Sequence, residues 1–201
     1  SDLIAFPKEQ LPKAQAVVKS WEETFKVELK IRDPEVKVSF LPSTSSYAAA
    51  LSDETSSKVK AALALVPDGV LSLNHEFKDA MESCSNVGII RVEADQGWIS
   101  TTIRSTIASK KHYAYRKAQL VCGLLGAGCE VGRDLPQWDY SLDDKLLELI
   151  EEVYDGYEIT ISQGTLEGGI FVNNMPGVSF VALAPPYYNA HSPREYFLID
   201  E

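Results

Sequence analysis

The sequence predicts a mixed α+β and α/β fold, in which an antiparallel sheet with helices on one face precedes a strand–helix–strand region. Three observations lead to this prediction: a long helical pattern near the start, two strand patterns joined by a tight turn, and a second alternation of strands and helices after residue 134. Hydrophobic residues make up 45% of the 201 residues, which is typical of a globular chain. We expect two domains, residues 1–133, incomplete at the N-terminus, and residues 134–201.

The predicted first domain opens with a helix over residues 8–31, where apolar side chains such as Trp21 and Phe25 recur near the 3.6-residue period. Alternation of apolar and polar residues predicts a half-buried strand at 35–41. A second helix is expected over 52–66, because acidic residues stand at its start, where the helix dipole favours negative charge.

Strand patterns follow at 87–93 and 97–105, and the turn residues between them favour a hairpin. Ser109 is expected to cap a third helix that runs to Leu125, and the glycines that follow suit its C-terminal end. A short strand is predicted at 129–132. One face of the sheet is left to meet water or another surface, for which a second copy of the chain is one candidate.

The predicted second domain contains a helix capped by Ser141 and ending at Gly156. Three further elements should follow it, namely a strand at 157–162, a short helix at 164–171 and an apolar, buried strand at 178–183.

Net charge and apolar run length restrict the possible partners. The formal charge of −10 opposes binding to nucleic acid through a broad basic face and to anionic membranes. The apolar runs are far too short to span a bilayer. The three cysteines, Cys84, Cys122 and Cys129, lack zinc-knuckle or redox-motif spacing. We therefore expect a reduced, cytoplasmic protein whose cysteines are small core residues.

Three residues are candidates for chemistry. His191 follows the predicted buried strand at 178–183, and active sites of open α/β sheets lie at such strand ends. Glu167 stands among glycines, which allow close approach of a ligand, although an acid at a helix N-terminus is an alternative interpretation. Arg104 shares a strand face with Trp98 and could hold a carboxylate, or form a surface ion pair.

Several short blocks, in order, resemble the aminoacyl-histidine (Xaa-His) dipeptidases of the peptidase D type, in the two-zinc aminoacylase and carboxypeptidase superfamily. They are Asn86-Val87-Gly88-Ile89-Ile90, Ile103-Arg104-Ser105, Leu124-Gly126-Ala127-Gly128, Leu135-Pro136-Gln137-Trp138, Leu166-Glu167-Gly168-Gly169 and Ala190-His191-Ser192-Pro193-Arg194-Glu195. The resemblance covers essentially the whole chain. It implies a lid and dimerisation domain at 1–133 and the C-terminal part of a metallopeptidase catalytic domain at 134–201.

The resemblance implies that His191 binds one of two zinc ions, that Glu167 is a catalytic residue near metal and substrate, and that Arg104 binds the substrate. The family hydrolyses dipeptides with a zinc-bound water. Its other metal ligands precede the lid domain, so this chain alone is expected to be inactive. Gln163 stands where the family usually has a histidine, and Arg194 where it has an aspartate. A non-catalytic dimerisation or binding module, or a degenerate homologue, is the alternative.

Overall fold

The computed structural model describes residues 4–43, 50–78, 80–93, 95–138, 145–154, 156–161 and 167–198. The chain forms two compact units, Ser1–Ser56 and Ser57–Glu201. In the described ranges, a short 3-10 turn at Lys8–Gln10 is followed by α1 (Leu11–Glu28), α2 (Asp53–Leu65), β1 (Gly69–Leu73), β2 (Met81–Val92), β3 (Gly97–Ser105), α3 (Ala108–Leu125), α4 (Lys145–Val153), α5 (Gly168–Asn174), β4 (Tyr187–Tyr188) and β5 (Tyr196–Phe197).

The first unit contains α1, which confirms most of the predicted helix at 8–31. Pro12 lies in the first turn, where its missing N–H costs no hydrogen bond. One turn apart on the helix, the rings of Trp21 and Phe25 lie 5.5 Å apart between centroids. The predicted strand at 35–41 is wrong, since this segment begins in a turn at Glu35 and pairs with no strand among the described residues.

The helix predicted at 52–66 is confirmed as α2. Its start is defined by Ser52, whose Oγ accepts a hydrogen bond from the backbone N–H of Thr55 at 3.1 Å. This bond satisfies one of the amide donors that the first turn of a helix leaves unpaired.

An antiparallel sheet of three strands in the order β1-β2-β3 forms the centre of the second unit. β3 confirms the strand predicted at 97–105, and the hairpin closes with a hydrogen bond from the N–H of Glu93 to the carbonyl of Gln96 at 2.7 Å. β2 begins at Met81, well before the predicted start at residue 87. β1 was not predicted at all.

The third helix packs against β2 and β3 through small residues on one face. Ala114 and Ala118, four positions apart, are the buried residues of α3 and allow its backbone to approach the sheet. The predicted cap at Ser109 is wrong: Ile107 is the extended N-cap residue, and its N–H donates to Ser105 Oγ at 3.0 Å. The predicted C-terminal end at Gly126 is confirmed, with φ of 69°.

The sheet confirms the predicted antiparallel arrangement with a helix on one face. Along β3, exposed side chains alternate with half-buried ones; the exposed set is Trp98, Ser100, Thr102 and Arg104. This face therefore remains open within the described part of the chain.

The second predicted region is only partly as expected. Its first helix is confirmed as α4, and its short helix as α5, which begins at Gly168 rather than 164. The strands predicted at 129–132, 157–162 and 178–183 are wrong, since none of these segments is paired where it is described. The Ser141 cap lies outside the described residues.

Candidate functional site

His191 lies in the loop of a small hairpin made by β4 and β5. Its φ is 61° and that of Asn189 is 54°, so both residues adopt the left-handed conformation that non-glycine residues rarely take. Backbone strain of this kind persists only where surrounding contacts hold it, and it is common at binding and catalytic loops.

Hydrogen bonds within the loop hold this conformation. Glu195 Oε2 accepts the backbone N–H of His191 at 2.7 Å. Ser192 Oγ donates to the carbonyl of Asn189 at 2.7 Å and accepts the N–H of Arg194 at 3.1 Å. Ser192 and Glu195 therefore fix the backbone on which the imidazole is carried.

The imidazole of His191 is exposed and forms no hydrogen bond or ion pair with the described residues. The prediction that it follows a buried strand is wrong. The preceding segment, 178–183, is unpaired, and Leu183 at its end is 63% exposed. The position of His191 comes from the hairpin loop instead.

Glu167 is the residue that precedes α5, as the helix-start interpretation predicted. Its carbonyl accepts the backbone N–H of Ile170 at 2.9 Å and of Phe171 at 3.0 Å. Its side chain is exposed and forms no cap hydrogen bond. The backbone of Glu167 thus forms the start of the helix, and its carboxylate is exposed.

The two glycines after Glu167 allow an unusually close approach of neighbouring groups. A Cβ atom on Gly168 would lie 2.6 Å from the Phe180 ring, and one on Gly169 would lie 2.4 Å from the carbonyl oxygen of Pro136. The Phe180 ring meets Trp138 edge-on, with 5.0 Å between ring centroids. These contacts dock the start of α5, and with it Glu167, against the segment 136–138.

Arg104 lies on the open face of β3, directly across the ladder from Cys84 in β2. Burial raises the pKa of the Cys84 thiol, and the positive charge of Arg104 opposes this rise. Arg104 forms no ion pair within the described ranges.

The three candidates do not form a metal site with one another. Arg104, Glu167 and His191 share no hydrogen bond or ion pair, and the described residues contain no cluster of three or more metal-ligating side chains. Zinc sites in proteins need three or four protein ligands, so the residues present here do not fit a zinc ion by themselves. Gln163 lies outside the described residues.

A shallow cavity of about 360 Å³ lies in the second unit between the start of β2 at Met81, with the residues just before it such as Phe77, and the segment 158–161. None of the three candidate residues lines it. It gives no support to a site at Arg104, Glu167 or His191.

Two side-chain clusters were not predicted from the sequence. Glu82, 7% exposed at its side chain, forms an ion pair with Lys110 and accepts a hydrogen bond from Ser72 at 3.1 Å beneath α3. Burial raises the pKa of the Cys129 thiol, and the neighbouring Cys122, which we also expected to be a small core residue, adds to this rise. Both clusters join residues that are distant in sequence or separated by a turn. Their spacing in the sequence therefore could not predict that they lie together.

Comparison with known proteins agrees with the resemblance. No family model matches the chain. The chain is 26% identical over 202 residues to the cytosol non-specific dipeptidase of Escherichia coli K12. This alignment covers 98% of the present chain and 41% of that protein. Its structure matches an aminoacylhistidine dipeptidase from Vibrio alginolyticus with a TM-score of 0.78 and 26% identity, over 97% of this chain and 41% of that one.

The chain thus spans about two-fifths of the length of these relatives. None of the helices in the described ranges has the length and apolar character needed to cross a membrane. The two matches agree in sequence, fold and extent, and the blocks that carry the resemblance run from residue 86 to residue 195. The chain is therefore similar, along nearly all its length, to the aminoacyl-histidine dipeptidases of the peptidase D type.

Proposed function

We propose that this chain is part of a longer, cytoplasmic, zinc-dependent dipeptidase that hydrolyses Xaa-His dipeptides, and that the chain alone is inactive. The match of 97% of the chain to an aminoacylhistidine dipeptidase carries this proposal. The lid and dimerisation domain would be residues 1–133 and the catalytic part residues 134–201.

The conformation of the loop at 189–195 supports a metal-ligating role for His191. A metal ligand must present its nitrogen at a fixed angle, and partners around the ligand usually provide that orientation. Here Glu195 and Ser192 fix the backbone at positive φ, while the imidazole stays exposed and unbonded within the described residues. One imidazole cannot hold zinc, so the remaining ligands would belong to the longer protein.

Glu167 and Arg104 have different roles in the proposal. Glu167, held at the start of α5, would act next to the reacting group of the substrate. Arg104 would bind the substrate carboxylate, for which its planar guanidinium group has a matching pair of donors. Their exposure and their lack of partners among the described residues are the supporting observations.

The test compares variants of the longer protein. His191→Ala should lower the zinc content below that of the native protein, because it removes a ligand of one of the two ions. It should also lower hydrolysis of Xaa-His dipeptides by more than the roughly 10- to 100-fold that the loss of an outer-shell partner costs. His112→Ala, an exposed helix residue outside the proposed site, is the control and should keep both metal and activity. Metal content is measured by elemental analysis, and hydrolysis by release of free histidine.

Two results would overturn the proposal: a longer protein without metal, or a His191→Ala variant with full zinc content and activity. Comparison of Xaa-His with other dipeptides tests specificity separately. This comparison matters because the Escherichia coli relative is named a non-specific dipeptidase, and because Gln163 and Arg194 depart from the family pattern.

The open face of the sheet near the β2–β3 turn supports a homodimer. The same surface would form the dimer if the chain is the non-catalytic dimerisation module named above as the alternative. Ile89 and Trp98 share the open face of the sheet and are each more than two-fifths exposed, and exposed apolar side chains of this kind often mark protein interfaces. Sedimentation should give a dimer for the native chain and a monomer for Trp98→Glu. A native chain that stays monomeric at high concentration contradicts this part of the proposal.

A further inference from the structure

Two stacked tyrosines form the last ladder pair of the β4–β5 hairpin before its loop. Tyr188 pairs with Tyr196, and their rings lie 5.0 Å apart between centroids, with 19° between the ring planes. Just inside this pair, the side-chain amide of Asn189 donates to the carbonyl of Arg194 at 3.3 Å. The stacked rings therefore form the base of the loop that carries His191.

The stack has surface left for a further partner. Tyr188 is 41% exposed and Tyr196 is 50% exposed, although their rings contact each other. Aromatic faces favour other flat rings over aliphatic groups, because stacked and edge-on contacts add to the burial of apolar area. A positively charged ring gains a further attraction to the face of a tyrosine. The exposed stack therefore suits a flat side chain, such as imidazole or phenyl.

A substrate at the His191 loop could reach this stack. Three residues separate His191 from Tyr188 along the chain, and consecutive Cα atoms lie about 3.8 Å apart, so the two Cα atoms are at most about 11 Å apart. An extended dipeptide spans about 7 Å, and the side chains of the substrate and of the tyrosine cover further distance. A dipeptide bound at the loop is thus long enough to bring its own side chain to the rings.

We propose that Tyr188 and Tyr196 form the subsite that selects a flat, ring-bearing side chain on the C-terminal residue of a dipeptide. This inference rests on the proposed peptidase function, in which Xaa-His dipeptides carry their imidazole at that position. It extends the substrate class to dipeptides that end in another aromatic residue. The two tyrosines act on specificity and take no part in the chemical step.

The neighbouring ladder pair provides a matched control. Tyr187 pairs with Phe197, and because side chains alternate along a strand, this pair lies on the opposite face of the hairpin. Tyr187 is 61% exposed, so it offers a similar aromatic surface on the same strand. Tyr187→Leu therefore measures what the loss of one exposed ring does to the hairpin in general.

The experiment measures KM and kcat of the longer protein for alanyl-histidine, alanyl-phenylalanine and alanyl-alanine. In Tyr188→Leu, KM for the first two should rise by about 2- to 12-fold, the range that one ring–ring contact provides, while kcat is retained. KM for alanyl-alanine should stay the same. Binding of the free product histidine, measured by calorimetry, should weaken by the same factor, which gives a readout independent of turnover.

Two further variants separate the ring from the rest of the side chain. Tyr188→Phe keeps the ring and should retain the native KM for all three dipeptides. Tyr196→Leu should raise KM for the ring-bearing dipeptides as Tyr188→Leu does, and it tests the stack from the other strand if Tyr188→Leu fails to fold.

Two results would overturn the subsite: equal changes in KM for all three dipeptides in Tyr188→Leu, or the same selective change in Tyr187→Leu. In either case the rings would act only through the stability of the hairpin. A longer protein that cleaves none of the three dipeptides contradicts the proposed peptidase function as well. Cleavage of all three without dependence on the Tyr188 ring contradicts the subsite alone.

Discussion

Substitution of Gly169 by alanine tests the docking of α5, and with it the position of Glu167. A Cβ at this position would lie 2.4 Å from the carbonyl oxygen of Pro136 and 3.3 Å from its carbonyl carbon. Ordinary contact of a Cβ begins near 3.4 Å, so α5 and the Pro136 segment must separate by about 1 Å. The obstacle is backbone, so no side-chain rotation can relieve it.

The cost follows from two opposing effects. Overpacking of this kind costs about 1–3 kcal/mol, while replacement of a helical glycine by alanine returns about 0.5–1 kcal/mol. The expected net loss in the free energy of unfolding is therefore about 0–2.5 kcal/mol. Gly123→Ala is the matched control, because Gly123 is also helical and a Cβ there meets nothing within 4 Å. That variant should gain about 0.5–1 kcal/mol.

Urea denaturation measures the free energy of unfolding of both variants. An unchanged slope of that free energy against urea concentration would show that only stability has changed. Amide hydrogen exchange at Ile170 and Phe171, whose N–H groups donate to the Glu167 carbonyl, reports the start of α5 directly. Exchange there should speed up in Gly169→Ala and remain native in Gly123→Ala. Equal stability of Gly169→Ala and Gly123→Ala would refute the close contact.

Two further predictions concern buried groups. Lys110→Met leaves the buried Glu82 carboxylate without its cation and should lower the free energy of unfolding, measured by urea denaturation, by about 1–3 kcal/mol. The control Lys26→Met breaks an exposed ion pair with Glu22 and should lower it by at most about 0.5 kcal/mol. Equal losses in the two variants would contradict the argument that burial makes the Glu82 pair the more important one. The raised pKa of Cys84 favours its neutral form in the folded chain, so its stabilising contribution holds below about pH 9.0 and is lost as pH rises through the folded pKa. Cys84→Ser should weaken that alkaline decline, and Arg104→Gln should slow Cys84 alkylation at fixed pH; an unchanged rate would place Arg104 away from the thiol.

The elements predicted correctly from the sequence are those with a clear local pattern of apolar or turn residues. α1, β3 and α3 have periodic apolar side chains or clear turn residues, and the structure confirms them. β2 breaks this rule. Its buried positions include Glu82, Ser83 and Ser85, whereas Ile89 and Ile90 near its other end are exposed. A pattern read from apolar residues therefore placed the strand too late along the chain.

The strand predicted at 178–183 failed for the opposite reason. Its residues are apolar, but Val178 and Leu183 are exposed, and the segment has no described ladder partner. A strand needs hydrogen-bonded neighbours as well as apolar side chains, and a local pattern cannot supply them. The short strand β1 was missed because its five residues carry too little pattern of their own.

Local sequence identified His191 and Glu167 as candidates, but the contacts that position them are of two kinds. The strained loop of His191 depends on Ser192 and Glu195, which lie within four residues of it in the same motif. The start of α5 depends instead on Pro136 and Phe180, which lie far from Glu167 along the chain. Such contacts arise only when the chain folds.

This difference bears on how the two residues can be separated experimentally. The His191 loop is held by hydrogen bonds within seven residues, so its geometry should survive changes elsewhere in the second unit. Glu167 depends on a backbone contact at Gly169, so a change there displaces the carboxylate without touching it. In a longer, active protein, Gly169→Ala should therefore lower turnover while zinc bound through His191 is retained. Loss of turnover and of bound zinc together would indicate that one shared contact positions Glu167 and His191. That result would contradict the separate contacts described for the two residues.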